Sequence, residues 1–268
     1  MGRGEMVTVL MYHAILHPVD QTCGADVYYS VAPSNLIQHL DLIRDCGYMI
    51  SSVNELLTEQ QAGVNNTVAL TFDDGHISNY DIVFPLLLEK GVHADFFVNP
   101  ATIGQTGYIT WSGLREMVEN GMSIQSHGYS HRYFDELTEP EIHNELDRSK
   151  KILEDKLGQV VNLFAPPGGR LKKDVRLIAK GLSYQAICGS RPGRWALTEA
   201  SYDIPRFAVL STTPVEHINQ WIKGDHAKLA TQIIRYQITY IAKKLFGNRL
   251  YEDMRAALLR VMDEDNPE

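Results

Sequence analysis

Asp73 and Asp74 stand side by side where the apolar run Thr67–Phe72 stops, and Gly75 follows at once. Adjacent carboxylates repel each other and are costly to hold at the end of an apolar strand unless a cation or a proton resolves the clash. A metal ligand beside a general base is the chemistry this pairing suggests. Further along, His127 and His131 are separated by Gly128, Tyr129 and Ser130. At that spacing one helical turn or one tight loop aims both rings the same way. Gly128 stands where an HExxH motif would carry its glutamate, so a base must come from elsewhere. Asp74, His127 and His131 together make a set of two histidines and one carboxylate, which leaves a coordination position open for water. Imidazole ligands favour Zn2+, and such a set also admits Co2+, Ni2+, Mn2+ or Fe2+. Asp73, next to the metal but not on it, can take a proton from the water.

These residues need elements that bring them to one place. The run Met6–Tyr12 reads as a strand and ends in His13, Thr67–Phe72 ends in the aspartates, and 121–126 ends in His127. The run 160–164 ends in Ala165, Pro166, Pro167, Gly168 and Gly169. In parallel α/β folds the carboxyl ends of the strands form one rim, where ligands bind. Between the strands, the spacing predicts helices over 33–44 with Ser34 as N-cap, 52–57, 79–90 closed by Gly91, 111–120, 138–157 and 172–180. Thr138 and Glu141 have capping-box spacing at the start of the longest one. Further strands are expected at 48–50, 94–99 and Ala186–Cys188. Strands alternate with helices from residue 6 to about 190, so the fold class is α/β, with a parallel sheet or a β/α barrel.

From His226 the pattern becomes helical, with Leu229, Ile233, Tyr236 and Tyr240 on one face, and 251–262 reads as another helix. The expected organisation is therefore a barrel over 1–215 and a helical extension over 216–268 packed on it. A basic amphipathic stretch of this kind can touch a membrane surface, although packing on its own domain is the usual meaning. No run reaches the ~18 apolar residues needed to span a bilayer. The formal charge of −8, with no Lys/Arg stripe, argues against a nucleic-acid partner. Cys23, Cys46 and Cys188 are odd in number and widely spaced, so no disulfide framework is expected. With no signal-peptide pattern at its start, the chain reads as cytoplasmic.

The segments Thr71–Gly75, Ser126–His131 and Phe164–Gly169, together with Met11-Tyr12-His13 and the stretch 109–113, resemble the polysaccharide deacetylases in order and context. These are the NodB-homology enzymes of carbohydrate esterase family four, and the resemblance covers roughly residues 6 to 210. It implies a distorted (β/α) barrel that removes N-acetyl groups from an N-acetylhexosamine glycan or its precursor in a metal-dependent reaction. It also implies Asp73 as general base, Asp74, His127 and His131 as metal ligands, and the Gly168 N–H as an oxyanion donor. Two departures stand out. Many members carry a proton-donating His in a late Leu-x-His motif; here His217 and His226 lie in the wrong context. In the branch active on poly-N-acetylglucosamine the acid comes from an N-terminal Tyr-His segment, which His13 matches. Many members also orient the base with an Arg in the third motif, where this chain has Ala165. Arg206, or else Arg170, is the expected substitute. The alternatives to a glycan deacetylase are an amidohydrolase of the same fold acting on a small non-sugar amide or cyclic imide, and a non-catalytic glycan-binding module.

Overall fold

The computed structural model describes residues 6–17, 24–58, 66–169, 171–197 and 202–225, and beyond them 230, 233–234 and 236–237. The chain divides into two compact units, Met1–Asp225 and His226–Glu268. Among the described residues the first holds ten strands: β1 (Met6–Tyr12), β2 (Met49–Ser51), β3 (Thr67–Phe72), β4 (Asp95–Val98), β5 (Ser123–Ser126), β6 (Leu163–Phe164), β7 (Ala186–Cys188), β8 (Arg194–Ala196), β9 (Asp203–Ile204) and β10 (Phe207–Ala208). Its helices are α1 (Pro33–Asp45), α2 (Val53–Thr58), α3 (Phe84–Lys90), α4 (Trp111–Glu119), α5 (Glu139–Leu157), α6 (Lys173–Gly181) and α7 (Val215–Lys223). No helix among the described residues is long and apolar enough to cross a membrane.

All the strand pairs except β1 with β8 are parallel, and the main path runs β10-β1-β3-β4-β5-β6-β7-β9. Its two ends, β9 and β10, are separated in sequence only by Pro205 and Arg206. One short segment thus pairs with β7 through Ile204 and with β1 through Phe207, and the sheet curls into a nearly closed barrel. Pro205 lacks an N–H, so it suits this crossing between two ladders.

Side chains alternate between the two faces of each strand. Val7, Val9, Ala69, Phe97, Leu163, Ala165, Ala186, Cys188 and Ile204 share one apolar cluster inside the barrel. Their sequence neighbours face the other way. Tyr12, Phe72 and Phe96, in register on β1, β3 and β4, stack at 5.3 and 5.0 Å between ring centroids. That parity matters for the site, because Thr71 and Asp73 continue the inward series of Ala69.

Several elements differ from the sequence reading. α1 is capped by Ala32 rather than Ser34, with Pro33 in the first turn, where its missing N–H costs nothing. The strand expected over 160–164 is only Leu163–Phe164. The Gln125 carbonyl oxygen reaches across from β5 and accepts the N–H groups of Asn162 and Leu163 at 3.0 and 2.9 Å. Those amides therefore bond to a side chain where a longer ladder would have used backbone. The helix over 79–90 begins with a wider π turn at Asn79–Val83 before α3. α7 lies within the first unit and packs on α1 and β1, so the division falls at Asp225/His226 and not at 215/216. Most of the helical segments expected beyond 226 lie outside the described residues, where the few described positions, residues 230, 233–234 and 236–237, are helical.

Candidate active site

Asp73 follows β3, and its N–H donates to the Tyr12 carbonyl at 2.9 Å, which ties the ends of β3 and β1 together. Its side chain points into the barrel and is almost fully buried. There it meets Arg206, which comes from the closing segment between β9 and β10. Nη1 donates to Oδ1 at 2.7 Å and Nη2 to Oδ2 at 2.8 Å. Arg206 also donates to Thr71 Oγ1 at 3.1 Å and to the Gly189 carbonyl at 2.8 Å. Burial alone would push the Asp73 carboxyl up; the charges of Arg206 and His127 and the Arg206 hydrogen bonds outweigh it and hold it below its usual value. Asp73 is therefore an ionised acceptor fixed in one orientation.

Asp74 turns away from its neighbour. Its backbone is left-handed, at φ 74°, which carries the carboxylate out of the barrel toward the rim. Oδ1 lies 3.2 Å from His127 Nε2 and 3.1 Å from His131 Nε2. Burial raises the Asp74 carboxyl, but the hydrogen bonds to the two imidazoles overcome this and set it well below the ordinary value. The two aspartates thus have separate partners, a guanidinium for one and a histidine pair for the other. Gly75 makes the turn possible: it sits at φ 69°, and a Cβ there would lie 2.9 Å from Val98 Cγ1.

His127 and His131 lie on a tight loop after β5 and not on a helix. His127 is buried, and its Nδ1 is 2.7 Å from the Ala165 carbonyl. With a cation bound, a proton on Nδ1 donated to that carbonyl would leave the Nε2 lone pair for the metal, on the side where Nε2 now lies against Asp74. His131 is exposed and adopts a left-handed φ of 61°. Among the described residues the positive-φ non-glycine positions are Asn66, Asp74, His131 and Ser183, so two of the three candidate ligands carry this conformation. Such backbone costs on the order of 1–3 kcal/mol and persists only where the surroundings enforce it. The ligand atoms of Asp74, His127 and His131 lie within 4.8 Å of one another. With His127 presenting Nε2, the donor set fits a divalent cation.

His13 closes β1, half-buried, with its ring 4.5 Å from that of Tyr29 and its Nδ1 atom buried without a hydrogen-bond partner. Burial lowers its pKa, and the nearby charges of Asp74 and Asp73 do not restore it. The ring is thus neutral at pH 7. Gly168 sits on the exposed turn that follows β6, at φ 64°, two residues after Pro166 and in the loop whose Ala165 carbonyl meets His127. Arg170, the other candidate for the missing third-motif Arg, lies outside the described residues. His217 is on α7 beside Trp221, and His226 is also outside the described residues.

Asn99 escaped the sequence reading. Its Nδ2 donates to the carbonyls of His127 and Gly128 at 2.6 and 3.1 Å. A signal existed: a polar residue directly at the end of β4, between two strands that carry site residues.

A family model described as polysaccharide deacetylase matches residues 60–187. The Bacillus subtilis protein YxkH is 27% identical over 194 residues, 68% of this chain and 70% of YxkH. A peptidoglycan-N-acetylglucosamine deacetylase of Bacillus cereus is 29% identical over 133 residues, covering 48% of this chain and 60% of its own length. Among solved structures, the Streptococcus pyogenes deacetylase PplD, in complex with acetate, superposes with a TM-score of 0.73 at 26% identity, over 82% of this chain and 99% of PplD.

Proposed function

This chain belongs to the polysaccharide deacetylases, and from that membership we propose that it hydrolyses acetamido groups of an N-acetylhexosamine-containing glycan with the help of a divalent cation. The observation that carries the reading is the separation of the paired aspartates. Asp73 is clamped by Arg206 as an ionised acceptor, while Asp74 faces two imidazoles. One carboxylate is thereby prepared for proton transfer and the other for a cation. The relative named for N-acetylglucosamine in peptidoglycan supports a glycan substrate.

Asp74, His127 and His131 would hold the cation, with zinc the first choice on ligand type. When bound, it supplies Lewis acidity for the acetyl carbonyl and for water. The protein does the rest. Asp73 takes one proton as the water oxygen attacks the acetyl carbon. Arg206 keeps Asp73 ionised beforehand and fixes the direction of its lone pairs. The Gly168 N–H donates to the oxygen that gathers negative charge. The carbon–nitrogen bond then breaks, acetate leaves, and the departing amine takes a proton.

His13 supplies that last proton in this reading. Since its ring rests neutral, it must first receive the proton released to Asp73, and the two residues act in sequence.

The test is acetate release from a panel of N-acetylglucosamine oligomers, with elemental analysis of the same protein. Acetate release that tracks the bound metal supports the reading. Metal-loaded protein that releases no acetate from any N-acetylated sugar would sink it.

A further inference from the structure

The four-residue separation of Glu145 and Ser149 puts them on the same face of α5, where both are buried, at 4% and 0% exposure. A buried carboxylate in the middle of a helix is costly unless donors surround it. The donors of Glu145 come from the loop that carries His127 and His131. Tyr129 N–H and Ser130 N–H both donate to Oε2 at 2.9 Å, and the Ser130 hydroxyl donates to Oε1 at 2.6 Å. One turn on, Ser149 Oγ is 2.8 Å from Ser126 Oγ, which in turn accepts the Gly128 N–H at 3.2 Å. The three backbone amides between the two histidines are therefore all taken up by this face of α5, directly or through Ser126. From the other side, Asn99 Nδ2 holds the His127 and Gly128 carbonyls, and Ala101 N–H donates to the Tyr129 carbonyl at 3.0 Å.

We propose that Glu145, with Ser149, is a positioning device that fixes the spacing of His127 and His131 on a divalent cation, so that α5 sets the affinity and geometry of the site. The inference rests on the metal reading above. Its physical basis is the left-handed backbone of His131, which an unsupported loop would abandon. Relaxation to an ordinary φ would swing the His131 ring away from Asp74. Charge-assisted hydrogen bonds from consecutive amides to one carboxylate oppose this relaxation. Partners that orient ligands typically govern metal affinity by ~10–100-fold.

The experiment compares the full-length chain with Glu145→Ala, Glu145→Gln and Ser149→Ala. Co2+ titration follows the visible absorption bands, chelator competition gives the Zn2+ Kd, and melting of the metal-free protein reports the fold separately. Glu145→Ala should weaken binding ~10–100-fold and alter the Co2+ spectrum. Glu145→Gln should recover most of the affinity, because its carbonyl oxygen can still accept both amides. Ser149→Ala should show a smaller loss. If Glu145→Ala does not fold, Ser130→Ala and Ser149→Ala carry the test, since each removes part of the same network. A folded Glu145→Ala, or in its place Ser130→Ala and Ser149→Ala, that keeps the wild-type Kd and spectrum overturns the proposal and leaves the metal site standing. Wild-type protein that binds neither ion overturns the metal reading itself.

Discussion

Arg206 holds both carboxylate oxygens of Asp73, at 2.7 and 2.8 Å, with each side chain almost fully out of water. The contact spans 133 residues of sequence. It forms because the segment that closes the barrel enters the interior directly beneath the end of β3. A buried, bidentate pair of this kind fixes both the charge and the direction of the base.

Removing the guanidinium should therefore be expensive. Arg206→Met leaves Asp73 buried and unpaired, which typically costs ~3–5 kcal/mol. The sign with pH follows from the depressed carboxyl. In the wild type the pair contributes stability above the unfolded value of 3.8, and that contribution is lost as pH falls through the lower folded value. In Arg206→Met burial dominates and the carboxyl rises, so the acidic limb of kcat/KM should move to higher pH. Urea unfolding at several pH values and a pH–rate profile check both parts.

Asp73→Asn keeps the shape and one acceptor for Arg206 but cannot take up a proton. Metal content should stay at the wild-type level while turnover falls by ~10²–10⁴-fold. Poor metal retention with normal turnover at saturating metal would mean that the two aspartates have exchanged roles.

His127→Ala should abolish metal loading and activity together, because it removes the buried ligand whose orientation the Ala165 carbonyl sets. Full metal occupancy in the purified variant would show the ligand assignment to be wrong.

Proximity to Asp73 and Asp74 alone would favour a protonated His13, whereas burial lowers its pKa. If His13 is charged by the proton that Asp73 takes up, it need not begin protonated, and kcat/KM should show no falling limb around pH 6.5, the ordinary histidine value. His13→Ala should reduce turnover on amides. It should matter less for an activated aryl acetate, whose leaving group needs no proton. Equal losses on both substrates would assign His13 to structure alone.

Asp95 gives a stability test away from the chemistry. Burial pushes its carboxyl up to about 7, against the hydrogen bonds from Ser123 and from the N–H groups of Val53 and Asn54. Between the unfolded value of 3.8 and about 7, the folded protein holds the extra proton, so stability falls as pH rises through that window. Asp95→Asn should flatten this part of the curve in urea midpoints from pH 4 to pH 8. An unchanged slope would remove Asp95 from the account.

The α/β pattern, the parallel strands and the residues at their ends were all legible in the sequence. Each depends on local periodicity, and a strand that stops in Asp73-Asp74 or His127 places that side chain at the rim whatever surrounds it. The missing third-motif Arg at Ala165 was visible only through the resemblance to the family, and Arg206 could be nominated because it follows a break late in the chain.

Other features depended on contacts that no local pattern encodes. The shortening of β6 came from a side chain on β5, Gln125, taking the amides that a longer ladder would have used. The neutral state of His13 came from desolvation by packing, which overrode the charges that proximity alone would suggest. The strands β8, β9 and β10 are two or three residues each, too short for periodicity to register. Barrel closure brings Pro205-Arg206 between β7 and β1, and only that closure delivers a guanidinium to Asp73 from 133 residues away. Residue types and their strand-end positions follow from short-range rules of backbone geometry; charge states and pairings follow from which distant segments exclude water together.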